Sequence, residues 1–240
     1  AVVPALAGCA AGASGRETTL TVYAASSLGP PFEELGERFE ASHRDVDVVF
    51  GFAGSSTLVG QVGQGADADV VATADTATMG RLEADGLLVG GPRHFASNTL
   101  QIAVPPGNPA RVGSLQDLTG DDVNVVVCAP EVPCGAAAEK AQELAGVELT
   151  PVSEEQSVTD VLNKVVTGEA DAGLVYVTDV RAAGDGVDGV TFPGAANVVN
   201  TYPIATVADT ERPELAAEFV RLVLGGEGQT VLRDAGFSGP

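Results

Sequence analysis

Hydrophobic positions along this chain recur with two alternating periods, one suited to strands and the other to helices. Thr18–Ala25 is β-branched and alternates apolar with polar residues, so it reads as a strand. Leu28, Phe32, Leu35 and Phe39 follow at spacings of four, three and four, the stripe of an amphipathic helix. Residues 46–52 read as a second strand, and Leu58 and Val62 mark a short helix that Gly60 and Gly63 weaken. Residues 69–74 read as a buried strand, with Asp75 capping a helix that carries Met79 and Leu82. Residues 100–104 form another strand, ended by Pro105-Pro106-Gly107. A second series follows: a strand over 123–129, helices over 136–144 and Val158–Val166, a strand over 172–177 and an extended segment over 198–207. Two helices close the chain, 211–224 with Pro213 near its first turn, and 227–235.

Repeated βα units predict an α/β fold with a mostly parallel sheet covered by helices. Two series of similar size predict two lobes, with the chain crossing between them near residues 98–100 and 199–202. Residues 17–99 together with 200–240 would form the first lobe and residues 100–199 the second. Ligands of open α/β sheets sit outside the C-terminal strand ends, so two such ends facing each other form a cleft that hinge closure buries.

Composition narrows the ligand. The 240 residues include 33 acidic and 12 basic ones, a net charge of −21, which argues against nucleic acid because phosphate contacts need basic clusters. Aromatics are 5% and Trp is absent, so a stacking platform for sugars or bases is not expected. No apolar run is long enough to span a bilayer.

Residues 1–16 read as a signal remnant and flexible tether: Leu6-Ala7-Gly8-Cys9 resembles a bacterial lipoprotein cleavage box, with Cys9 the lipidated residue; the alternative is a signal tail cut elsewhere. Export to an oxidising compartment favours a disulfide between Cys128 and Cys134 over two unpaired thiols. A metal site is less favoured, since His43 and His94 both stand apart from the cysteines.

Hydrogen-bond donors cluster where a strand or loop gives way to a helix: Ala25-Ser26-Ser27-Leu28, Gly54-Ser55-Ser56-Thr57, Pro133-Cys134-Gly135, Gln156-Ser157-Val158 and Val175-Tyr176. Helix starts offer unpaired amides and the positive dipole end, a ready anion site. None of these stretches contains lysine or arginine, so neutral dipoles would have to hold the anion. Each stretch alone is more simply a helix cap or, for Tyr176, a core tyrosine; their joint occurrence points to a site.

The ordered segments AASSL, FAGSSTL, ADVVATAD, PEVPCG, GLVYVTD and VLRDAGF, running from Thr18 to Phe237, resemble the molybdate-binding proteins of bacterial molybdate ABC transporters. The resemblance implies a type II periplasmic-binding-protein fold: two βα lobes, a two-crossing hinge and a ligand cleft. It implies a solute-binding protein, not an enzyme, acting without a cofactor as a monomer. Such a protein captures molybdate, and tungstate too, and delivers it to a membrane permease; together with the cleavage box at Cys9 this places it outside the cytoplasm on a lipid anchor. By motif, the oxyanion contacts fall on Ser27, Ser55, Cys134, Val158 and Tyr176, with no direct ligand to the metal atom. The sequence departs from the family pattern at Gly54, where serine is frequent, and at Cys134, where alanine is common.

Two other readings stay open. Sulfate is also unprotonated, so only cavity size would separate it from molybdate; monohydrogen phosphate would leave its O–H facing donors, at about 1–3 kcal/mol. A cleft hydrolase would need a base near Ser27 or Ser55, but His43 reads as an exposed turn residue and His94 as part of a linker. No GxSxG elbow, Walker loop or HExxH helix occurs.

Overall fold

The computed structural model describes residues 18–240; Cys9 and the rest of residues 1–16 lie outside them. In chain order the elements are β1 (Thr18–Ala25), α1 (Gly29–Ser42), β2 (Val46–Ala53), α2 (Ser55–Gly63), β3 (Val70–Ala72), α3 (Thr76–Ala84), β4 (Leu88–Val104), β5 (Val125–Cys128) and α4 (Pro133–Ala145). Then come β6 (Ser153–Glu155), α5 (Val158–Val166), β7 (Ala172–Tyr176), α6 (Val177–Ala183), β8 (Asp188–Val190), β9 (Val199–Val207), α7 (Pro213–Leu224) and α8 (Gly226–Asp234).

The strands line up as β2-β1-β3-β9-β4-β7-β5-β6, with β8 also paired to β4. β1 runs parallel to β2 and β3, and β5 runs parallel to β6 and β7, so each lobe has its own parallel core. Between them β9 and β4 pair antiparallel, and β4 continues from its pairing with β9 directly into its pairing with β7. These two strands are the crossings, and β4 belongs to both sheets.

Strands buried on both faces need near-continuous apolar sequence, and β5 and β7 have it. The first lobe gains its outer wall from the end of the chain: Phe219 of α7 packs on Phe32 and Phe39 of α1 at ring separations of 6.0 and 5.5 Å.

The structure alters several sequence expectations. Residues 88–99 are strand, not linker, so His94 lies within β4. The period-two pattern slips there because Gly90 and Gly91 adopt positive φ and the register shifts between Val89 and Arg93 and again between His94 and Ala96. His43 is not a free turn residue: it is half-buried at the end of α1, stacked on Phe39 and 2.8 Å from Glu218. α4 starts three residues earlier than expected because Pro133 takes the N1 position, where its missing N–H costs nothing.

Candidate functional site

Parallel strands deliver their C-terminal ends to one place. Ser27 follows β1, Ser55 follows β2, Ala74 follows β3, Cys134 follows β5, Val158 follows β6 and Tyr176 ends β7. Ser27, Ser55, Cys134, Val158 and Tyr176 all line one small cavity. Its walls hold no charged side chain; besides these residues they include Ala53, Gly54, Val132 and Gln156. The cavity is narrow and nearly closed, with about 10 Å³ open to the centre of a water-sized sphere.

Three hydroxyls reach this space, and each is backed by the protein. Ser55 Oγ accepts from the Ala74 amide at 3.0 Å, so its own hydrogen remains to be donated. The Asn200 side-chain nitrogen faces the Ala74 carbonyl at 3.0 Å, which makes that nitrogen the donor end of the amide. It therefore donates to the Tyr176 hydroxyl at 3.0 Å as well, so that hydroxyl still carries its own hydrogen to give. Ser27 Oγ lies 3.0 Å from the Tyr202 hydroxyl, and if Tyr202 donates, the Ser27 hydrogen is also free. Ser27, Ser55, Tyr176, Asn200 and Tyr202 are all buried. Burial raises the pKa of both tyrosines, so they stay protonated and keep a hydrogen to give.

Backbone amides supply the rest. Ser55 and Val158 open α2 and α5, and Cys134 is the second residue of α4; amides in a first turn have no carbonyl within their own helix. Cys128 and Cys134 form a disulfide, joining the end of β5 to the first turn of α4. Gly135 fits beside it because a Cβ there would meet the Ala129 carbonyl oxygen at 1.8 Å.

Some expected donors are used elsewhere. Ser157 caps α5, accepting from the Asp160 amide at 3.2 Å and donating to the Asp160 carboxylate at 2.6 Å. Ser56 donates to the Glu131 carbonyl at 2.7 Å, a bond between the lobes. The Tyr176 amide donates to Asp179 Oδ2 at 2.8 Å, so Tyr176 presents only its hydroxyl. Asp179 is buried behind the site without lining it, and burial pushes its pKa up to about 7 despite the Tyr176 hydrogen bond.

Sequence reasoning missed Ala74, Asn200 and Tyr202. Asn200 and Tyr202 are polar groups within the extended segment that became β9, and both prove buried. No histidine backs Ser27 or Ser55; their partners are Tyr202 and the Ala74 amide. A broader depression of about 450 Å³ over α4 carries four glutamates, Glu139, Glu143, Glu148 and Glu154, and shares no residue with the small cavity.

Residues 20–238 match the family described as bacterial extracellular solute-binding protein. The chain is 49% identical over 230 residues to the molybdate-binding protein ModA of Mycobacterium bovis, covering 96% of this chain and 88% of that protein. Among solved structures it resembles the periplasmic molybdate-binding protein of Azotobacter vinelandii, with a TM-score of 0.80 at 21% identity, covering 92% and 99% of the two chains. It also resembles the sulfate-binding protein SubI of Mycobacterium tuberculosis, with a TM-score of 0.76 at 20% identity, covering 92% and 86%. At those identities the two structures speak for a shared two-lobed fold.

Proposed function

The chain belongs to the bacterial extracellular solute-binding proteins, among relatives of the molybdate-binding protein ModA, and from that premise we propose that it captures molybdate, and tungstate, for an ABC permease. The observation that carries this reading is the cavity wall: hydroxyls whose oxygens are occupied from behind, first-turn amides, and no charged side chain. Such a shell has hydrogens to give and almost no acceptor to offer. It suits a compact anion with four acceptor oxygens and no proton. A protonated phosphate would leave its O–H facing donors, an unpaired group at about 1–3 kcal/mol.

In this reading the contacts are the hydroxyls of Ser27, Ser55 and Tyr176 and the amides of Ser27, Ser55, Cys134 and Val158, all made to oxygen and none to the metal atom. Ser27 and Ser55 belong to residues 17–99 and 200–240, and the others to residues 100–199. No cofactor is needed. The protein works as a monomer, lipid-anchored through Cys9 outside the cytoplasm. Calorimetric titration with molybdate, tungstate, sulfate and phosphate tests the reading: molybdate and tungstate should bind tightest and phosphate least. Equal heats for molybdate and sulfate would refute it.

A further inference from the structure

At the mouth of the cavity the two lobes touch backbone to backbone. Gly54, the residue before α2, faces the carbonyl of Gln156, the residue after β6. A Cβ on Gly54 would stand 2.0 Å from the Gln156 oxygen, 3.1 Å from its carbonyl carbon and 3.7 Å from Ser157 Cα. We propose that Gly54 is the stop that sets how far the lobes close, and is thereby a specificity-determining residue for the anion gripped between them. The inference rests on the oxyanion reading above.

Nothing local demands glycine here. The backbone angles, φ −60° and ψ 139°, suit any residue. The position is the N-cap of α2, where Ser, Thr, Asp or Asn would serve at least as well. What excludes a side chain in this chain, where the family frequently has serine, is the facing lobe's own backbone, and the obstacle is a main-chain carbonyl that cannot rotate away as a side chain does.

The consequence for binding is geometric. With alanine at position 54 the Gln156 oxygen would have to retreat from 2.0 Å to at least 3.0 Å. Val158 lies two residues along the same segment, so its amide moves with Gln156. A hydrogen bond of about 2.9 Å lengthened by about 1 Å is lost. An anion seated on Ser27 and Ser55 would then lose its grip on the facing lobe, and the Ser56–Glu131 bond would stretch as well.

The test titrates molybdate into wild type, Gly54→Ala, Gly54→Ser and the control Gly60→Ala, whose added Cβ would meet nothing within 4 Å. Unfolding temperatures are recorded without ligand, and small-angle scattering follows closure. Both Gly54 variants should bind at least about tenfold more weakly, chiefly through faster dissociation, and contract less on adding molybdate. The unliganded unfolding temperature of Gly54→Ser should match wild type, because serine caps α2 at least as well as glycine, and Gly60→Ala should keep its affinity. Wild-type affinity in both Gly54 variants would overturn the inference and leave the functional reading intact. An affinity loss in Gly54→Ser matched by lower unliganded stability would also overturn it, by making Gly54 a folding residue. Failure of the wild type itself to bind molybdate would instead sink the functional reading.

Discussion

At the scale of single residues, the proposed site would work by controlling which way hydrogens point. Removing the Ser27 or Ser55 hydroxyl by alanine should weaken molybdate binding by about tenfold or more, since a hydrogen bond to a charged group contributes about 1.5–3 kcal/mol. Calorimetry would show this, and unchanged affinity in both variants would remove them from the site. Tyr176→Phe should have a similar effect without unfolding the lobe. Asp179 makes a separate, pH-dependent prediction. Its pKa in the folded state is about 7, above the ordinary 3.8. Between those values the folded protein holds a proton that the unfolded chain releases, so this group's contribution falls as pH rises, by up to about 1.4 kcal/mol per unit. Denaturant unfolding should show that decline for wild type and a flatter profile for Asp179→Asn; an identical slope in both would contradict it. The residues named from motifs do line one cavity, and they were legible in the sequence because each stands at or beside a junction between a strand or loop and a helix. Their backing partners were not: Ala74 follows β3 and Asn200 and Tyr202 lie in β9, distant in sequence, and nothing local marks them.

At the scale of elements, strand ends and helix starts position everything the site uses. The disulfide fixes one of these junctions, closing the short loop that runs from β5 into α4. Replacing Cys128 and Cys134 together by alanine should lower stability by about 2 kcal/mol on the loop-entropy account. In the proposed reading Cys134 offers its amide and not its sulfur, so molybdate affinity should change much less. A large affinity loss at unchanged stability would contradict that role. Helices with a clear apolar stripe were legible to within a few residues: α5 begins and ends where Val158, Val161 and Val165 predict. β4 was legible only in its second half. Its first half carries two positive-φ glycines and two register shifts, which erase the alternation that announces a strand. The short strands β6 and β8, of three residues each, leave too little sequence to show a period.

At the scale of the whole molecule, two lobes close a neutral pocket inside a strongly acidic protein. The net charge of −21 should repel an incoming dianion, so its association rate should rise with ionic strength, opposite to a receptor that uses lysine and arginine. Stopped-flow mixing at low and high salt would show the sign. The two-lobed order was legible from the double βα series. How far the lobes approach was not, because it depends on one Cβ-less position meeting a carbonyl about a hundred residues away in the chain. The most direct test of the central claim is a crystal structure of the protein with molybdate bound. The four oxygens should lie within about 2.7–3.2 Å of the Ser27, Ser55 and Tyr176 hydroxyls and the Cys134 and Val158 amides, with no cationic side chain in contact. Molybdate bound elsewhere, or held there by lysine, arginine or a direct bond to the metal, would contradict the account.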